Sequence, residues 1–160
     1  MQTNDVLYYY IRIDKTHTPI ATVAVGKAAD GKLCRGITIL SQIEKSWSRK
    51  EGRLKATIRL HRAMAHRAQL DPIGQEIETR NKDGSVKKVH HVPAASLIFM
   101  ETCRVQGLPE GFCNYKAAYD VQPTELEKSL LAKTEWHDPC TGCNHCGTEQ
   151  EHAAEPTPVK

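Results

Sequence analysis

Residues 48–67, SRKEGRLKATIRLHRAMAHR, decide how the chain is read, because they specify a helix and a charged surface at once. Ser48 followed three residues later by Glu51 is a capping box, in which side chains satisfy two backbone amides that a helix start leaves open, so a helix begins near Arg49. At about 100° per residue, Leu54, Thr57, Ile58, His61, Met64, Ala65 and Ala68 fall on one side, which predicts the core-facing face, with His61 at its boundary. Lys55, Arg59, Arg62 and His66 stack on another side as a cationic ridge. From Lys45 to Arg67 there are eight Lys or Arg against one acid, Glu51, giving +7 in a chain whose net charge is only +3. The basic charge is therefore local, and acids at helical spacing that would pair it are largely missing. Phosphate contacts need long cationic stems, and each one releases condensed counterions, so the segment points to DNA or RNA as partner. The expected contact residues are Arg49, Lys50, Arg53, Lys55, Arg59 and Arg62.

The segments before this helix read as strands. Residues 6–13, VLYYYIRI, are β-branched and aromatic; alternation puts Leu7, Tyr9, Ile11 and Ile13 on a buried face and Tyr8, Tyr10 and Arg12 on an outward one. Tyr8, Tyr10 and Arg12 join the expected nucleic-acid-binding set, because aromatic rings stack on bases and the basic residue reaches a phosphate. Residues 20–26 and 33–40 supply two further strands, joined at Asp30-Gly31 by a hairpin turn, with Gly36 expected at a bulge. Short connections make the three an antiparallel meander, whose apolar face the 48–67 helix covers through Leu54, Ile58 and Met64.

Asp71-Pro72 ends the helical region. Residues 75–80 and 85–92 flank Asn81-Lys82-Asp83-Gly84 and predict a polar, exposed β-hairpin. Pro93 at a helix start and Gly107 as terminator predict a helix over 94–106; residues 108–121 read as a loop with one irregular strand. Thr124-x-x-Glu127 is a second capping box and opens a short helix to about Thr134. The fold class is α+β: a three-stranded antiparallel sheet packed on a basic amphipathic helix, followed by a hairpin and short helices. The expected organisation is a βββα unit over 1–70, a hairpin and helical segment over 71–135, and a Cys/His-rich stretch with a polar tail over 136–160.

With 39% hydrophobic and 26% charged residues, the composition suits one modest core and excludes fibrous or collagen-like classes. No apolar run approaches the ~20 residues that cross a bilayer, and the N-terminus lacks the pattern of a secretory signal. A cytoplasmic protein without a membrane partner is expected, and crowded cysteines there read as metal ligands first. Such crowding occurs at HDPCTGCNHC, residues 137–146. Cys140, Cys143 and Cys146 form two overlapping C-x-x-C pairs, and His137 or His145 completes a tetrahedral zinc set; His137 with the three cysteines is the set adopted. An iron–sulfur run would place its next cysteine at position 150, which is Gln.

His90-His91 with Asn114 and a later His137 or His145 resembles the H-N-H nucleases, which would imply metal-assisted phosphodiester hydrolysis with His91 activating water. The spacing is loose, and His90 stands where that family often has an acid. The βββα order resembles, in architecture only, DNA-binding modules such as integrase arm-binding domains. Residues 34–56, CRGITILSQIEKSWSRKEGRLKA, are similar to a pattern in small phage and prophage proteins, carried by Trp47, Ser48, Arg49, Lys50, Gly52 and Arg53. That resemblance implies a mobile-element source and no activity. The sequence thus predicts a small nucleic-acid-binding accessory protein with a zinc-binding C-terminal stretch, and assigns no catalytic residue. A protein-docking or inhibitor role without nucleic acid is the second reading, and an H-N-H-like nuclease the third.

Overall fold

The computed structural model describes residues 6–13, 19–40 and 48–133. Strands β1 (Leu7–Arg12), β2 (Pro19–Lys27) and β3 (Leu33–Ile39) form the expected antiparallel meander, with Tyr9 opposite Val23 and Val23 opposite Ile37. Helix α1 (Arg49–His66) starts at Ser48, whose hydroxyl accepts from the Glu51 amide at 3.2 Å. Then follow β4 (Leu70–Pro72), the hairpin β5 (Gln75–Arg80) and β6 (Val86–His91), α2 (Ala94–Val105), β7 (Tyr115–Tyr119) and α3 (Glu125–Lys133). The class is α+β.

The sheet is larger than the meander. Its strand order is β1-β2-β3-β7-β4, so β7 inserts between β3 and β4, with Gly36 opposite Ala117 and Leu70 opposite Ala117 on the other side. The irregular strand expected in 108–121 is this β7, and β4 extends the sheet beyond the expected three strands. Both sheet faces are covered. One carries Ala24, Cys34, Ala56 and Leu60, with Tyr8, Met64 and Tyr119 packed around them. The other carries Tyr9, Ile11, Val23, Val25 and Ile37 together with Ile73, Phe99, Cys103 and Phe112. Residues 71–133 therefore contribute to the same core as residues 7–66.

Helix α1 is turned relative to the expected packing. Its buried residues are Gly52, Ala56, Leu60 and Ala63, whereas Leu54 and Ile58 are 59% and 51% exposed, Met64 is partly buried and His61 is exposed. The reason lies in the sheet. A Cβ at Gly36 would lie 2.0 Å from the Ala56 carbonyl oxygen and 2.5 Å from the Leu60 amide nitrogen, so helix backbone rests almost directly on strand backbone. At that crossing the strand must carry glycine and the helix a small residue, Ala56, while the Leu60 side chain fits beside it against Gly26. Gly36 is thus a close-approach glycine in regular register rather than the expected bulge.

On the opposite sheet face a polar trio ties α3 to the strands. Arg35, 4% exposed, donates from Nε and Nη2 to the two carboxylate oxygens of Glu127, 1% exposed, at 2.7 Å each. The Tyr9 hydroxyl donates to Glu127 Oε1 at 2.6 Å and the Thr124 amide to Oε2 at 2.9 Å; Arg35 also lies 4.4 Å over the Phe112 ring. The second capping box therefore forms, and its glutamate is also the counter-ion of a buried arginine. Burial pushes the Glu127 carboxyl up, but the Arg35 hydrogen bonds and charge outweigh it and hold the carboxyl below its ordinary range. Burial first, and then the Glu127 carboxylate, raise the Tyr9 phenol.

Two outcomes follow from these contacts. Gly36→Ala should cost about 3 kcal/mol in urea unfolding by forcing helix and sheet apart, whereas Ile58→Asp, on the exposed side, should change stability by less than about 0.5 kcal/mol. A tolerated alanine at 36 together with a severe loss at 58 contradicts the packing. Because the folded Glu127 carboxyl titrates low, its contribution is complete above the unfolded glutamate pKa of about 4.3 and is lost as the pH falls through the folded value. Glu127→Gln leaves Arg35 buried without its counter-charge, so it should cost about 3 kcal/mol at pH 7 and flatten the acid limb of the stability curve. Parallel acid limbs for wild type and variant would show that this group does not set them.

Candidate nucleic-acid interface

The first half of α1 lies against the β1 face that bears Tyr8 and Tyr10. Alternation groups these side chains as expected, but the face is covered by α1 instead of being open. The Tyr8 hydroxyl and Thr57 Oγ1 lie 2.7 Å apart in a hydrogen bond, and Arg53 Nε donates to the Tyr10 hydroxyl at 2.8 Å. The Arg53 guanidinium sits 4.8 Å from the Tyr8 ring centroid, and that of Arg49 sits 5.5 Å from the Tyr10 centroid. Four of the predicted site residues are therefore brought together, with arginine rather than a base stacked on the rings. The Arg12 carbonyl accepts from Gln106 Nε2 at 2.7 Å, anchoring the end of β1 to the end of α2.

The ridge is partly absorbed by the fold. Lys55 pairs with Glu51 one turn earlier at 2.7 Å, a solvent-exposed contact of small energetic weight. Arg59 Nη1 donates to the Ile37 carbonyl at 2.6 Å, just beyond the closest helix–strand contact. Arg62 Nη1 meets Asp71 Oδ2 at 2.5 Å, and Lys50 is exposed in the first turn.

Folding adds a residue to the second half of the ridge. Lys116 of β7 is half-buried; burial lowers its pKa, the Arg59 charge lowers it further, and Asp71 acts in the opposite sense. Arg59 is likewise pushed down, by burial first and also by Arg62, with Asp71 opposing. Arg62 pairs directly with Asp71, and the Asp71 charge acts at longer range on Arg59 and Lys116. Like charges held together in partly desolvated surroundings favour an added anion. Lys116 and Asp71 were missed because each is an ordinary isolated charge in sequence; the period-2 pattern of 115–119 marks a strand but not its neighbour.

His137, Cys140, Cys143 and Cys146 lie outside the described residues. Among the described residues no three His, Cys, Asp or Glu side chains are grouped so as to hold a metal ion. His91 ends β6, and Asn114 precedes β7, where its carbonyl accepts from the Ile73 amide at 3.0 Å. No helix among the described residues is long and apolar enough to cross a membrane. Comparison with family models, curated proteins and solved structures gives no match to this chain.

Proposed function

We propose that the chain is a nucleic-acid-binding accessory protein that engages phosphates where α1 meets the β4–β7 edge, through Arg62, Lys116 and the outer part of Arg59. What supports this reading is the placement of Arg59, Arg62 and half-buried Lys116 at one edge, where, among the described residues, Arg62 alone of the three makes an ion pair, with Asp71. A phosphate supplies the missing negative charge and relieves the repulsion between Arg59 and Lys116. Lys50 and Arg49, exposed near the other end of the helix, extend the cationic surface along its length.

Docking to a protein is favoured by one separate observation, the outward apolar row of Leu54 and Ile58 on α1. The two readings differ in salt dependence. For random duplex DNA, each phosphate contact contributes about −0.9 to the slope of log affinity against log salt. Arg62→Ala/Lys116→Ala should bind more weakly at low salt and reduce that slope by about 1.8. Indistinguishable wild-type and variant titrations sink the assigned site, and absence of binding to duplex, single strand and RNA sinks the function. Mg²⁺-dependent cleavage lost in His91→Ala would instead promote the nuclease.

We also propose a structural Zn²⁺ held by Cys140, Cys143, Cys146 and His137. Support comes from ligand spacing in the sequence, where C-x-x-C pairs chelate one ion from a tight turn. Tag-free protein should contain about one equivalent of zinc. Less than about a tenth of an equivalent in well-folded protein contradicts the site.

A further inference from the structure

The hairpin of β5 and β6 stands out from the body with both strands exposed along their full length. Ile73, buried in the core, precedes it, and Asp71 of the cationic edge lies only four residues before Gln75. The ribbon is thus rooted beside the proposed phosphate site. A two-stranded ribbon without covering layers is marginal in water, so its conformation needs local reinforcement. The turn provides it. The Asn81 amide donates to the Ser85 carbonyl at 2.9 Å, the Gly84 amide to the Asn81 carbonyl at 3.0 Å, and the Ser85 amide to Asp83 Oδ1 at 2.9 Å. Gly84 takes the positive φ of 86° that the turn requires.

Charge is distributed unevenly. The outer half carries Arg80, Lys82, Lys87 and Lys88 against Glu78, opposite Lys88, and Asp83, whose carboxylate is engaged by the Ser85 amide and hydroxyl. The register also sorts the two faces. Glu76 lies opposite His90 and Glu78 opposite Lys88, placing both acids of the strands on one face. The other face pairs Gln75 with His91, Ile77 with Val89 and Thr79 with Lys87, and contains no acid. That face offers hydrogen-bonding side chains around a small apolar centre, the mixture that reads base edges and thymine methyls.

We propose that the β5–β6 ribbon enters the major groove of B-form duplex DNA, its acid-free face toward the bases, with Lys87 of that face and Lys82 of the turn toward the flanking phosphates. Six residues per strand span about 20 Å, and the groove, about 12 Å wide, admits a two-stranded ribbon. The major groove of A-form RNA is too narrow for one, which selects DNA. The inference rests on the nucleic-acid reading, but it concerns residues distinct from Arg59, Arg62 and Lys116.

The test measures anisotropy titrations of full-length protein with random duplex DNA and duplex RNA, together with dimethyl sulfate probing of the bound DNA. Lys82→Ala/Lys87→Ala, with unchanged circular dichroism, should weaken DNA binding several-fold at low salt and reduce the salt slope by about 1.8, as expected for two lost cationic contacts. Glu76→Gln/Glu78→Gln should leave binding equal or tighter. Wild-type protein should protect guanine N7, in the major groove, and leave adenine N3, in the minor groove, reactive. DNA binding that is unchanged in the double lysine variant, protection confined to adenine N3, or an equal preference for duplex RNA overturns the ribbon assignment while leaving the cationic edge standing. Failure of wild-type protein to bind any nucleic acid overturns both.

Discussion

The contact between the Ala56 carbonyl and the backbone at Gly36 governs the architecture. With no Cβ at 36, the helix settles onto the strands at a distance that only Gly52, Ala56 and Ala63 tolerate, with Leu60 filling the adjoining hollow. A Cβ at Gly52 would lie 2.6 Å from Thr22 Oγ1, so the same restriction recurs one strand away. Close seating fixes the rotation of α1 about its axis. It turns Leu54 and Ile58 outward, brings Arg49 and Arg53 over Tyr10 and Tyr8, and lets Arg59 reach the Ile37 carbonyl. The disposition of the basic residues is thus a consequence of a packing constraint.

The opposite sheet face is secured by different chemistry. Phe99, Cys103 and Phe112 supply apolar cover, while Glu127 makes α3 depend on the sheet through Arg35 and Tyr9. A buried ion pair with every carboxylate oxygen bonded adds little net stability over an apolar substitute, but it penalises any register of β3 or α3 that separates the partners. Arg35 is thereby unavailable to a ligand. Arg59, Arg62 and Lys116 stand elsewhere on the molecule, with Arg62 in an ion pair with Asp71.

Local signals in the sequence were accurate wherever hydrogen bonding or turn chemistry dictated them. The Ser48 N-cap and the full Thr124/Glu127 capping box form, as do the meander, the hairpin around residues 81–84 and the helix over 94–105. Orientation was not legible, because the largest apolar residues of α1 were assigned to the core. That assumption fails where strand and helix backbones touch: steric room then outweighs the gain from burying Leu54 or Ile58. The placement of β7 between β3 and β4 was hidden for another reason, since pairing of Gly36 with Ala117 spans about half the chain and leaves no local mark. The candidate site shared this division. The arginines and lysines of α1 were legible as a charge excess, whereas Lys116 and Asp71 joined them only through strand order.

The central claim is that α1 faces the sheet with Gly52, Ala56, Leu60 and Ala63 and turns Leu54 and Ile58 outward. Residue-resolved hydroxyl-radical footprinting of the native protein examines it directly, because Leu54, Ile58 and Leu60 share one helix and similar intrinsic reactivity. The account predicts rapid modification of Leu54 and Ile58 and strong protection of Leu60, lost on unfolding. Protection of Leu54 and Ile58 with a reactive Leu60 would contradict it.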